Sequence, residues 1–205
     1  MDVEQIAEGL WRWTAPHPEW RPDADWPPDV GCVYYEGPDA VVLVDPLVPT
    51  EPDERERFLT ALDRDVERAG RPLAIIITVH WHQRSADELA GRFGAEVWTA
   101  GAGTDPPSGV EVVLADRKDE VLVWIPEHRA LVAGDVLLGD DAGGVRLCPE
   151  SWLPDGIGHA ELRAVLRPLL ELPIESVLVS HGEPVRSGAL RALAKALDAP
   201  TPSTG

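Results

Sequence analysis

Leu73-Ala74-Ile75-Ile76-Ile77-Thr78-Val79-His80-Trp81-His82-Gln83-Arg84-Ser85 is the stretch on which the reading of this chain turns. Its first part is a run of β-branched residues after a Gly70-Arg71-Pro72 turn, the pattern of a central strand buried on both faces. Its second part delivers His80 and His82 in i and i+2 positions. If the strand continues through them, both rings project to one side. Neutral imidazole is the commonest protein metal ligand, so the pair predicts half of a metal centre at a strand end, with Trp81 between them turned to the core. Arg84 and Ser85 follow where further ligands would be expected, and an arginine has no lone pair to give.

The sequence around this stretch reads as alternating strands and helices. Upstream, Leu10 to Thr14 alternates like a half-buried strand, and Cys32-Val33-Tyr34-Tyr35 and Val41-Val42-Leu43-Val44 flank the turn signal Glu36-Gly37-Pro38-Asp39, a hairpin. Between them, Ala15 to Asp29 is a Pro-rich loop carrying His17, Trp20 and Trp26, either a stiff aromatic lid or a plug at a sheet edge. Thr50 is placed to cap an amphipathic helix marked by Phe58, Leu59, Leu62 and Val66 and ended by Gly70. Downstream, a short helix over 86–93 and a strand over 95–99 imply a right-handed parallel crossover. Strands over 110–115, 121–125 and 130–133 then form a meander, with His128 in a turn. A loop over 147–158, a helix over 159–172 kinked at Pro168, a core strand over 176–180 and a helix over 188–197 complete one domain spanning 1–200, followed by a frayed tail over 201–205.

Composition limits the functions open to the chain. Its 205 residues, 44% hydrophobic, suffice for one domain with a sizeable core. With 18 Lys and Arg against 36 Asp and Glu, the formal charge of −18 repels nucleic acid and anionic membranes alike. Cys32 and Cys148 are far apart and form no thiolate motif, which fits a reducing cytoplasm. No segment has the length of a membrane span, and the expected ligand is a small molecule.

Chemistry-bearing residues recur at strand ends: Asp45 after Val44, His80 and His82 after Val79, Asp116 after Ala115, Asp135 after Gly134 and His181 after Ser180. Strand ends on one edge of a sheet converge on one crevice, so six such residues outweigh any one of them. In order and context these residues resemble the metallo-β-lactamase fold superfamily, which includes glyoxalase II-like hydrolases. Thr78-Val79-His80-Trp81-His82 resembles the first half of its H-x-H-x-D-H signature. Leu131-Val132-Ala133-Gly134-Asp135 is similar to the strand bearing its metal-bridging Asp, and Val179-Ser180-His181-Gly182 to the context of its last ligand. The resemblance implies a four-layer αβ/βα sandwich, one or two zinc or iron ions at the sheet edge, and hydrolysis by a metal-activated water. It also implies a ligand about a strand pair before the Gly-Asp, and counting back 19 residues from Asp135 reaches Asp116.

Arg84 and Ser85 interrupt that signature, and two arrangements fit what remains. In the first, His80, His82 and Asp116 hold one ion of zinc, iron or manganese, Arg84 fills the second-metal region and pairs with Asp135, and Asp135 or His181 manages protons. The expected metal ligands are then drawn from His80, His82, Asp116, Asp135 and His181, with Asp135, His181 and Arg84 in catalytic roles and a small ester, thioester or lactone as substrate. In the second, Arg84 with Asp116 and Asp135 forms an ion-pair network that replaces the metal, and the crevice binds a small ligand or a protein partner without catalysis.

Overall fold

The predicted strand β5 (Leu73–Ile77) is buried at every residue and lies inside a six-stranded sheet. The computed structural model describes residues 1–115 and 120–198, so Asp116 and the tail over 201–205 lie outside the described residues. The sheet is built in chain order. An N-terminal strand β1 (Asp2–Ala7), absent from the sequence-based expectation, pairs antiparallel with β2 (Leu10–Pro16), β2 with β3 (Asp29–Glu36), and β3 with β4 (Val41–Val44). Helix α1 (Pro52–Ala69) returns the chain so that β5 runs parallel to β4, with Val42 beside Ala74 and Val44 beside Ile76. Helix α2 (Ala86–Phe93) repeats the crossover to β6 (Glu96–Thr99), parallel to β5.

The second sheet holds four strands. The predicted meander β7 (Glu111–Leu114), β8 (Val121–Ile125) and β9 (Ala130–Ala133) is antiparallel. The hairpin of β10 (Leu137–Asp140) and β11 (Gly144–Leu147) follows, neither strand being expected from the sequence. Helix α3 (His159–Leu166), continued by a 3-10 turn at Arg167–Glu171 where Pro168 denies the α ladder its N–H, leads to β12 (Ser176–Val179). That strand runs parallel to β9, and α4 (Ala189–Asp198) ends the described chain.

Side-chain parity divides the interior into three cores and so defines four layers. Val42, Val44, Ala74 and Ile76 of the first sheet meet Val123, Ile125, Val132 and Leu178 of the second between the sheets. The alternate residues Val41, Leu43, Leu73, Ile75 and Ile77 face outward to α1 and α2 through Phe58, Leu62 and Leu89. On the other side Leu122, Trp124, Leu131, Val177 and Val179 pack under α3 and α4 through Leu162, Leu166, Leu193 and Leu197. This is the expected αβ/βα sandwich. Each fully buried Leu or Ile contributes about 1.5–3 kcal/mol of transfer free energy, so both sheet faces are strongly registered.

Helix α1 shows one local correction. Its cap is Glu51 rather than Thr50: the Glu51 carboxylate accepts from the Asp53 and Glu54 amides, which the helix itself leaves unpaired. Gly70 closes the helix in the left-handed conformation, at φ 63°.

Candidate metal centre

The C-terminal ends of β4, β5, β9 and β12 meet at one edge of the two sheets, and close backbone contacts hold them there. The Gly31 amide of β3 donates to the Ser180 carbonyl at 2.7 Å, and the Gly139 amide to the His181 carbonyl at 2.8 Å. A Cβ at Gly139 would lie 2.4 Å from the Glu183 carbonyl oxygen, so only glycine permits this approach. Beyond these ends lies a cavity of about 310 Å³ lined by His17, Trp26, Trp81, Trp152 and the three residues of a buried cluster, His82, Asp135 and His181.

The cluster differs from the sequence expectation at its first member. Strand β5 stops at Ile77, and His80–Gln83 forms a 3-10 turn, so His80 and His82 do not share a strand face. His80 is exposed, packed edge-on against the Trp81 ring, and does not line the cavity, whereas His82 is buried at 3% exposure. Trp81 is also displaced from the expected core position. It is 43% exposed, and its Nε1–H donates to Asp135 Oδ2 at 2.7 Å.

His82, Asp135 and His181 each offer one donor atom, and the three atoms lie within 4.8 Å of one another. Asp135 Oδ1 stands 3.2 Å from His82 Nε2 and 3.3 Å from His181 Nε2, yet it is sealed from solvent without a well-angled hydrogen bond. A buried carboxylate oxygen left this way normally costs stability, and three lone-pair donors converging on one point are what a divalent cation requires. The residues present therefore fit a metal.

The supports of these donors are specific. His82 Nδ1–H donates to Asp45 Oδ2 at 2.8 Å, because a carboxylate only accepts; this leaves the Nε2 lone pair facing the cluster. Asp45 is held in turn by the Thr78 amide at 2.8 Å and hydroxyl at 2.5 Å. Asp135 is fixed by Trp81 and by its own amide, which donates to the buried Glu120 carboxylate at 2.6 Å, as does the Val136 amide at 2.8 Å. His181 has a different support. Its Nδ1 is buried without a hydrogen bond, and its ring lies 5.3 Å from the Trp26 ring and 5.9 Å from the Trp152 ring.

Electrostatics follows from this packing. Burial opposes charge on both histidines and Arg84 adds to it, but at His82 the Asp45 and Asp135 carboxylates outweigh both and raise its pKa. At His181 burial dominates over Asp135, and the pKa is lowered. Burial alone would raise Asp135; the adjacent rings, His82 foremost, hold its carboxyl well below the usual carboxylate range.

Arg84 is not where either sequence-based arrangement placed it. Its Nη1 donates to the carbonyls of Asp45 at 2.8 Å and Gly31 at 3.1 Å, and its Nη2 to Ser180 Oγ at 2.6 Å. It makes no ion pair with Asp135 or with any other carboxylate among the described residues; its backbone takes the strained φ of 40°. Arg84 thus ties three strand ends together instead of neutralising Asp135, and its expected partner Asp116 lies outside the described residues. Ser85 is structural too, its Oγ accepting from the Val48 amide at 2.9 Å. Within the aromatic loop, His17 and Trp26 line the cavity.

No protein-family model and no curated protein matches the sequence. Solved structures do. The structure aligns over 96% of its length with 94% of VMB-1 at a TM-score of 0.66 and 12% identity. It aligns over 97% with 98% of the metallo-β-lactamase IND-7 at 0.65 and 14%. A metallo-β-lactamase from Erythrobacter litoralis aligns over 96% of this chain and 90% of its own at 0.63 and 14%. At such identities the likeness concerns architecture, and with the αβ/βα layers and the strand-end cluster it shows that this chain has the metallo-β-lactamase fold.

Proposed function

We propose that the chain is a metal-dependent hydrolase with a single ion held by His82, Asp135 and His181, acting on a small ester, thioester or lactone. The observation that carries this reading is the convergence of three buried donor atoms on one point, with Asp135 Oδ1 lacking a well-angled hydrogen bond. A zinc, iron or manganese ion bound by these residues would supply Lewis acidity and make a water acidic near neutral pH.

The protein's own groups serve that chemistry in distinct ways. Asp45 fixes the His82 tautomer and increases the basicity of Nε2. Trp81 holds one oxygen of Asp135 and so turns the other toward the imidazoles. Because its pKa is depressed, Asp135 stays ionised at neutral pH and acts as a ligand rather than a proton donor. Arg84, with both terminal nitrogens engaged by Gly31, Asp45 and Ser180, contributes fixed positive charge and rigidity instead of a direct oxyanion contact. His17 is the imidazole in the cavity outside the cluster; its Nδ1 accepts from the Glu19 amide at 3.3 Å, leaving Nε2–H as a donor for a substrate oxygen. Trp26 and Trp152 narrow the cavity, whose volume of about 310 Å³ suits a small acyl compound.

The metal-free binding reading has Arg84 pairing with Asp116 and Asp135; the guanidinium makes no contact with Asp135, and Asp116 lies outside the described residues. The test is hydrolysis of a p-nitrophenyl ester, an acyl thioester and a γ-lactone by protein stripped with chelator and then reloaded with zinc, iron(II) or manganese(II). Metal-restored turnover of at least one substrate is expected. Turnover indifferent to metal, or absent from all three substrates in the loaded protein, would overturn the proposal.

A further inference from the structure

A second cavity, of about 580 Å³, lies between the β10–β11 hairpin, α3 and α4, and shares no lining residue with the His82 cavity. Arg146, Arg163, Arg191 and Lys195 line it against one carboxylate, Asp140. This inverts the balance of the whole chain, in which acidic residues outnumber basic ones 36 to 18. Asp140 is already engaged, its Oδ1 accepting from the Ala142 amide of its own turn at 3.1 Å.

The pairing habits of the other arginines make the concentration more telling. Arg12, Arg21, Arg57, Arg71 and Arg84 donate to backbone carbonyls, and Arg55, Arg64, Arg68, Arg92, Arg129, Arg167 and Arg186 each meet a carboxylate. Arg146, Arg191 and Lys195 meet none among the described residues, although the chain has carboxylates in excess. Arg191 and Lys195 are also four residues apart on α4, a spacing at which like charges repel across one helix face. Beneath these cations the cavity has an apolar floor that includes Val145 and Leu147, at 6% and 8% exposure. Cations left unneutralised over an apolar floor, in a cavity of ligand size, are complementary to a small molecule with an anionic head and an apolar body.

We infer that this cavity is a binding site for a small amphiphilic anion, a phosphate or carboxylate carried on a short alkyl or aromatic body. The head lies among Arg146, Arg191 and Lys195 and the body over Val145 and Leu147. The site is independent of the metal centre.

Octyl phosphate, kept below its micellar concentration, and the neutral octyl glucoside are the probes, titrated calorimetrically into the full chain. Octyl phosphate is expected to saturate, to bind at least about tenfold more weakly to the R191Q/K195Q variant, and to weaken as salt rises. Its binding to His82→Ala is expected to match that of the wild type. Both substituted side chains are exposed, so the double variant is expected to fold, and its thermal unfolding checks that. Absence of saturation, equal binding of octyl glucoside, or an unchanged affinity in R191Q/K195Q would overturn the inference. So would a preference for phosphatidylglycerol vesicles over monomeric octyl phosphate, which would assign the cations to a lipid surface.

Discussion

The two histidines of the cluster are the same kind of donor held by opposite means. His82 sits in a turn after β5 and is fixed through its second nitrogen by Asp45, itself held by the amide and hydroxyl of Thr78. His181 follows β12 with no partner on its second nitrogen, and its position depends on packing against Trp26 and Trp152. A hydrogen-bonding carboxylate sets direction, tautomer and basicity together; aromatic packing restricts only where the ring can be. The first half of the fold therefore supplies the electronically tuned imidazole, while the second supplies a sterically confined one along with the carboxylate between them.

Substitutions at five positions probe that contrast. Removing either ring should be the most damaging: His82→Ala and His181→Ala are each expected to weaken metal binding by more than about 100-fold, measured with a competing chromophoric chelator. Near wild-type affinity in either would remove that residue from the centre. Asp45→Asn should then separate the two supports, lowering affinity about 10- to 100-fold while the fold is retained, since the amide can no longer draw on His82 Nδ1 as a carboxylate does. Arg84→Ala leaves the carbonyls of Gly31 and Asp45 without their donor and is expected to cost about 1–3 kcal/mol of stability in denaturant unfolding, with a smaller change in metal affinity. A loss of metal without loss of stability would restore Arg84 to the centre itself. Trp152→Leu should have the smallest effect on affinity, within about threefold, because packing on His181 is shared with Trp26. An effect as large as that of Asp45→Asn would erase the contrast between the two supports.

Much of this arrangement is legible in the sequence because the central strands of both sheets are buried on two faces. Leu73 to Ile77, Val121 to Ile125 and Val177 to Val179 are uninterrupted apolar runs, and Asp45, Asp135 and His181 reach the site as residues at strand ends must. The misplaced residues lie where the chain leaves the ladder. Whether His80 and His82 share a face depends on the residue at which β5 stops, and Thr78 diverts the chain by donating its amide to the Asp45 side chain. The charge of Arg84 suggests a carboxylate partner, whereas its planar fork meets groups brought together from β3, the end of β4 and the end of β12. Such long-range juxtaposition has no local signal. Strand β1 and the β10–β11 hairpin escape a pattern-based reading for a related reason: Asp2–Ala7 is exposed or half-buried, and Gly139 and Gly144 dilute the strand pattern.

That His82, Asp135 and His181 hold a metal and His80 does not is tested most directly by anomalous diffraction from crystals of metal-loaded protein. One strong peak is expected in bonding contact with His82 Nε2, Asp135 and His181 Nε2, with His80 turned to solvent. A peak coordinated by His80, or a cluster that remains empty in crystals grown with excess zinc, iron(II) and manganese(II) in turn, would contradict that assignment.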